Sequence, residues 1–426
     1  MNKKFFAIIL GCLLIFNLTP IFAGGEKEEV KEEGVTEIVY WQYFYETKKN
    51  LMDDLIGEFE AANPTIKVTQ QTFPYADYNT KVAASVPSGK GPNVINLYYG
   101  WLPKYVTSGY LQPLTGADFT PAKVESEFFP LVKAAKFDGS YYALPTAVRS
   151  LALFYNKDLL AEGGYSAPPK TWEEAVEMGK DLAEFDKNGN FLQIGFGVNL
   201  DNQFHHVIRE VLNRQMGTAP YNEDSTQVLY NNQAGYDAMK FVSDLELVEK
   251  TGRQAFMEDD RTAFKAGTCA MFVSGSFALG TLDKVEELNY GTAELPSMDG
   301  MQSNFASFWA NGITSFTEGK ELVASEKFLQ FLTSADVMER WLAEIGELPA
   351  NMELGQAEKI ANDPKFGPFI RGLEYAHATV FYDESAQKSA MFDAYNRIVL
   401  QGMDVKESVD IAAKEEQAVI DKYFDK

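Results

Sequence analysis

The chain has 426 residues, 46% of them hydrophobic and 23% charged, which is enough apolar material for two or three domains with a sizeable core. Its 61 acidic residues against 38 basic ones leave a formal charge of −23. That balance speaks against a nucleic-acid partner, which needs a basic footprint to displace counterions from phosphate, and against charge-driven binding to anionic lipid.

The first residues, MNKKFFAIILGCLLIFNLTPIFAGG, place Lys3 and Lys4 before an apolar run from Phe5 to Phe22, with Ala23 ahead of two glycines. This reads as a secretory signal over residues 1–23, so the protein is expected to be exported, periplasmic or tethered to the outer face of the membrane. Asn17, Thr19 and Pro20 weaken the competing reading as a membrane span. ILGC, Ile9–Cys12, looks like a lipoprotein box, but apolar residues continue for ten positions beyond it, so lipidation of Cys12 is the lesser reading. Cys269 is the other cysteine, and one thiol cannot close an internal disulfide. Residues 24–36 are charged and almost free of apolar side chains, the composition of a disordered acidic tether.

Strand and helix patterns then alternate. TEIVYW is β-branched and aromatic, and NLMDDLIGEFEAAN carries Leu51, Leu55, Ile56 and Phe59 at helical spacing. TIKVTQQTF and NVINLYY read as further strands separated by a helix. The alternation resumes near residue 150 with SLALFYN, a helix capped by Thr171 with Glu174 three residues on, and the strands IGFGVNL and GTCAMFVSG. From about Lys320 the pattern is mainly helical. The expectation is an α/β protein of two lobes, each a mostly parallel sheet flanked by helices. In such sheets ligands sit beyond the carboxyl ends of strands. Two aromatic clusters occupy that position: Trp41, Tyr43 and Tyr45 after the first strand, and Tyr99 and Trp101 after NVINL. Aromatic faces there can stack on the C–H faces of sugars, or they can simply be core.

Signatures of catalysis are missing. His205-His206 is an adjacent pair, not the i, i+4 spacing of a helical metal site. DKNGN opens like a calcium loop, yet Phe191 and Gly197 stand where Gly and Glu are required, so an Asn188-Gly189 turn is the better reading. There is no G-x-S-x-G elbow and no phosphate loop. No cofactor and no metal are expected. A glycosidase carboxylate pair depends on geometry that composition does not reveal.

Several longer stretches carry a family resemblance. FEAANPTIKV, YNTKVAASVPSGKGPNVI, SGYLQPL, YYALPTAVRSLALFYNKDLLAEGGYSAPPKTWEEAV, FKAGTCAMFVSGSF and ASEKFLQFLTSADVMERWLAEIGELPAN occur in order along the chain. Together they resemble the carbohydrate-binding family 1 of extracellular solute-binding proteins of ABC importers, which includes maltose-binding protein. The resemblance implies the two-lobe periplasmic-binding-protein fold of type II, with chain crossings near Ala147–Leu151, Ala306–Gly312 and Ile360. The implied lobes are residues 37–148 with 310–360, and 149–309 with 361–426. It also implies a ligand held between the lobes and passed to a membrane permease, with no reaction catalysed, and a monomer. It carries ligand contact onto Arg149, Asn202, Phe204, His205, Phe277, Trp309 and Phe392 besides the two aromatic loops. Leu97, Phe277 and Phe392 stand where maltose-binding protein has tryptophans, so maltose itself is not implied. The alternative is a receptor of the same fold for a non-sugar solute such as a polyamine; an extracellular carbohydrate-active enzyme is the third reading.

Overall fold

The computed structural model describes residues 34–424. The expected signal and most of the expected tether lie outside them. The chain begins with β1 (Thr36–Tyr43), α1 (Glu46–Ala62), β2 (Ile66–Phe73), α2 (Tyr75–Ser85) and β3 (Val94–Tyr98). The middle of the chain holds β4 (Ala143–Asn156), α3 (Trp172–Asp181), β5 (Phe191–Phe196), α4 (Gln233–Leu247), β6 (Cys269–Gly275), β7 (Tyr290–Ala293) and β8 (Asn304–Ile313). The helices α5 (Gly319–Leu332), α6 (Ala335–Ile345), α7 (Glu384–Gln401) and α8 (Val405–Phe424) complete the frame. Short helices and two-residue strands connect them.

One continuous sheet runs β2-β1-β3-β8-β4-β6-β5, with β7 also on β4. β1 is parallel to β2 and β3, and β5 is parallel to β6, as the βαβ spacing predicts. The long strands β4 and β8 run antiparallel to their neighbours, which the alternation alone does not predict. They bridge the two halves of the sheet, so their direction is set by the crossing rather than by a flanking helix. β4 pairs with β8 up to Ser150 and with β6 from Leu151 onward. The β4–β8 register shifts between Trp309, opposite Ala147, and Ala310, opposite Pro145, so Thr146 of β4 is the extra residue, while β8 keeps a regular register with β3. Such a bulge twists the strand and re-aims the side chains beside it.

β1 shows why its alternation is hard to read. Ile38 and Tyr40 pack with Leu51, Leu55 and Phe59 of α1 and with Phe328 of α5 on one face of the sheet. Trp41 and Tyr43 lie on the other face with Ile95, Leu97 and Tyr98. Both faces are covered, so both sets of side chains are apolar. Each fully buried Leu or Phe contributes about 1.5–3 kcal/mol. The second half of the sheet has its own core around Leu153, Trp172, Phe196, Val211 and Met271.

The helix ends follow their sequence signals. Thr171 Oγ1 accepts from Glu174 N at 3.2 Å, while the Glu174 carboxylate reaches back to Lys170 N at 2.6 Å, one residue before the cap. Asp383 caps α7 through Ala386 N at 3.1 Å. α8 is pinned by a sealed polar knot. Glu416, fully buried, accepts from Arg209 Nη2 and Tyr221 OH at 2.6 Å and from Tyr230 OH at 2.7 Å.

Candidate functional site

Near the point where β4 bulges at Thr146 and then changes partner, aromatic rings from four segments meet. Tyr43, at the end of β1, lies 4.3 Å from Trp309 between ring centroids. Trp309 is also 5.4 Å from Trp101, 5.8 Å from Tyr98 and 6.1 Å from Tyr75. Tyr75, the first residue of α2, is 54% exposed and Trp101 is half-buried, so the bowl opens on their side, while Tyr43, Tyr98 and Trp309 are buried and form its floor. Gly100 lets the rings close up, since a Cβ there would come 2.7 Å from Tyr98 and 3.2 Å from Phe381.

A buried charge cluster backs the bowl. Lys48 of α1 donates to Tyr43 OH at 2.8 Å and to both oxygens of Glu347 at 2.8 and 3.0 Å. Trp341 Nε1 donates to Glu347 Oε2 at 2.8 Å. Arg149, two residues before Leu151 takes up the new partner, donates through Nε and Nη2 to the same carboxylate, and Nη2 reaches Tyr43 OH at 3.4 Å. Burial opposes charge on Glu347, but Arg149 and Lys48 outweigh it and hold the carboxyl down at about 2.

Phe277 continues the wall onto the second half of the molecule. The Arg149 guanidinium carbon sits 5.5 Å from its ring centroid and that of Arg261 5.6 Å. Asp260 accepts from Asn202 Nδ2 at 3.4 Å, and burial pushes its carboxyl up to about 7. Asn202 sits at a kink with non-helical backbone angles. Opposite the bowl, the start of α7 meets the loop after β3. Tyr75, Asn79, Trp101, Asp383, Glu384 and Lys388 line a cavity of about 530 Å³ there, within the ordinary range for small-molecule sites. Burial raises the Glu384 carboxyl, and the neighbouring Trp101 and Lys388 oppose the rise.

The sequence-predicted residues fall into three groups. Tyr43, Trp101, Arg149, Phe277 and Trp309 come together at the bowl, and Asn202 is linked to it through Asp260 and its neighbour Arg261. Trp41, Tyr99 and Phe204 are buried at 5%, 1% and 1% exposure within the two cores. Tyr45 is exposed at the cap of α1, and Phe392 packs on the second core. His205 is buried beside His206, which stacks on Phe305 at 3.6 Å. Burial lowers both imidazoles well below their usual range and keeps them neutral.

Lys48, Tyr75, Arg261, Glu347 and Glu384 were not anticipated. Tyr75 had a signal, since it follows β2 as the other aromatics follow β1 and β3. Glu347 lies in GELPAN, where nothing local marks it as the partner of residues 198 and 299 positions away. Among the described residues, no group of three His, Cys, Asp or Glu side chains could hold a metal, and no helix is long and apolar enough to cross a membrane.

A sheet shared by two α/β halves, with an open aromatic bowl where the strands pass between them, defines a two-lobed solute receptor. Residues 54–368 match the family profile described as bacterial extracellular solute-binding protein. The chain belongs to that family. It is 24% identical over 356 residues to a maltotriose-binding protein of Pyrococcus abyssi, covering 81% of this chain and 73% of that one. Its fold matches the sugar-binding protein MalE of Xanthomonas citri with a TM-score of 0.79 at 22% identity, over 91% and 98% of the two chains. It also matches the GacH receptor of Streptomyces glaucescens, solved unliganded and with acarbose, with a TM-score of 0.77 at 20% identity, over 91% and 99%.

Proposed function

We propose that this protein is the substrate-binding component of an ABC importer, that it captures a sugar or oligosaccharide between its lobes, and that it delivers the sugar to a membrane permease. The observation that carries this reading is the bowl of Tyr43, Tyr75, Trp101 and Trp309 beside the Arg149 guanidinium. Flat apolar faces with a few fixed donors are what a sugar ring requires. The relatives support it, being a maltotriose-binding protein and a receptor crystallised with acarbose. The lobes are taken as residues 37–148 with 310–360 and 149–309 with 361–426, so that Arg149 and Trp309 both fall at crossings. Ligand contact is assigned first to Tyr43, Trp101, Arg149, Asn202, Phe277 and Trp309. The protein performs no reaction; ligand shifts it toward a closed state by binding that state better. It acts as an exported monomer.

A polyamine is disfavoured because the side chains flanking the bowl include Lys48, Arg149 and Arg261. A thermal-shift panel of mono- and oligosaccharides, polyamines and amino acids tests the reading. A ligand at 100 times its Kd stabilises by about 2.7 kcal/mol, a shift of about 2–4 °C or less for a chain of this size. Shifts confined to related sugars are expected. Shifts with polyamines alone, or cleavage of a sugar during incubation, would overturn it.

A further inference from the structure

At the wall of the bowl one carboxylate serves two cations. Lys48, 5% exposed, has its three donors engaged by Tyr43 OH and the two oxygens of Glu347. Arg149 uses Nε and Nη2. Its Nη1 has no partner among the described residues and is not one of the buried unpartnered atoms, so its two N–H groups stand open. Tyr43 OH accepts from both cations and keeps its own proton to donate.

Arg261 adds a second guanidinium on the same aromatic ring, Phe277, and its Nε is buried without a partner. Lys48 and Arg149 therefore share one ionised acid, Glu347, and Arg261 lies on the same Phe277 ring as Arg149, in a chain whose formal charge is −23. The other acids nearby are Asp260 and its neighbour Asp259, beside Asn202 and Arg261, and Glu384 and its neighbour Asp383, beside Trp101 and Lys388. Burial disfavours charge on Asp260 and Glu384. A surplus cation in a partly dry site is costly to leave uncompensated. Sugar hydroxyls accept hydrogen bonds from it but bring no charge. A carboxylate brings both, and its planar pair of oxygens suits a guanidinium edge with a hydroxyl alongside.

We propose that the saccharide held here is acidic, a uronic-acid sugar whose carboxylate accepts from Arg149 Nη1 and the Tyr43 hydroxyl while its ring lies on the aromatic bowl. The proposal rests on the sugar-receptor reading of the same site and names its substrate class.

Titration calorimetry of the purified protein with matched pairs tests it: glucuronate against glucose, galacturonate against galactose, and digalacturonate against galactobiose. At low salt one acidic member is expected to bind about 10- to 100-fold more tightly than its neutral twin, and added salt should shrink the gap. Arg149→Gln should abolish the preference. Arg261→Gln, which leaves the Glu347 cluster intact, should reduce it, and this guards against misfolding of the first variant. A neutral member binding as tightly as its acidic twin overturns the acid assignment and leaves the sugar receptor standing. Tighter binding of glucose 6-phosphate than of glucuronate overturns the carboxylate. Failure of every saccharide, with binding of a polyamine or amino acid, overturns both readings.

Discussion

Each half of the molecule carries a buried ion-pair network, and the two are built to different ends. In the second half Arg209 and Glu416 are both fully buried, and Glu416 is saturated by Arg209, Tyr221 and Tyr230. One cation meets one anion in a site sealed from solvent, so the two Arg209 nitrogens that lack a partner, Nε and Nη1, are out of reach of a ligand. At the bowl Lys48 and Arg149 share Glu347, the Arg149 side chain is 17% exposed, and one of its nitrogens is unspent. The same residue types serve as a clamp where charges balance and water is excluded, and as a binding surface where a cation remains over. A buried pair is weak evidence for stability in itself, but removing one partner is severe because the other is stranded.

The sharpest way to break the comparison is Glu416→Gln. It strands Arg209 in a dry site and should cost about 3–5 kcal/mol in urea unfolding, with ligand affinity unchanged. The double replacement Arg209→Met with Glu416→Leu should recover most of that loss; if it does not, the knot does more than fix α8. Glu347→Gln leaves two cations facing a neutral amide. It should destabilise by roughly 2–4 kcal/mol and also alter ligand affinity, because Arg149 is then free to turn. An affinity identical to that of the parent protein would remove Arg149 from the site.

The last effect, spread over a range of pH, concerns Asp260, whose carboxyl rises in the folded state from an ordinary value near 3.8 to about 7 through burial. The native state then holds a proton that the unfolded chain has released. Stability from this group is therefore full below about pH 4 and falls as pH rises to about 7. One pKa unit is about 1.4 kcal/mol, so the upper bound is about 4 kcal/mol. Asp260→Asn should flatten the pH dependence of unfolding between about pH 4 and 7, as read by thermal melts. An unchanged slope would mean that this carboxyl is solvated.

Much of the frame was legible because the relevant signals are local. The strand of TEIVYW, the helix at Leu51–Phe59 and the cap at Thr171 depend on residues a few positions apart. The family motifs brought in the pairing of the halves. The divide between bowl and core was not legible within β1. Trp41 and Tyr43 lie on the same face two residues apart, and only the second reaches the strand end beside Trp309. Tyr99 likewise turns onto Phe308, at 5.0 Å, while Trp101 faces the bowl. The charge cluster was hidden for a different reason. Lys48, Arg149 and Glu347 come from three distant segments, and each alone looks like an ordinary charged residue.

The bowl has one more property, which belongs to spectroscopy. Of the five tryptophans in the chain, Trp101 and Trp309 line the bowl with three tyrosines, Trp101 nearer its open side, while Trp172 lies in the core of the other half. Light absorbed by those tyrosines passes readily to indoles a few ångströms away. A solute seated among these rings displaces the water that relaxes their excited states. The protein thus carries its own optical reporter, with a shielded internal reference, and its occupancy can be followed by ultraviolet emission without any added dye.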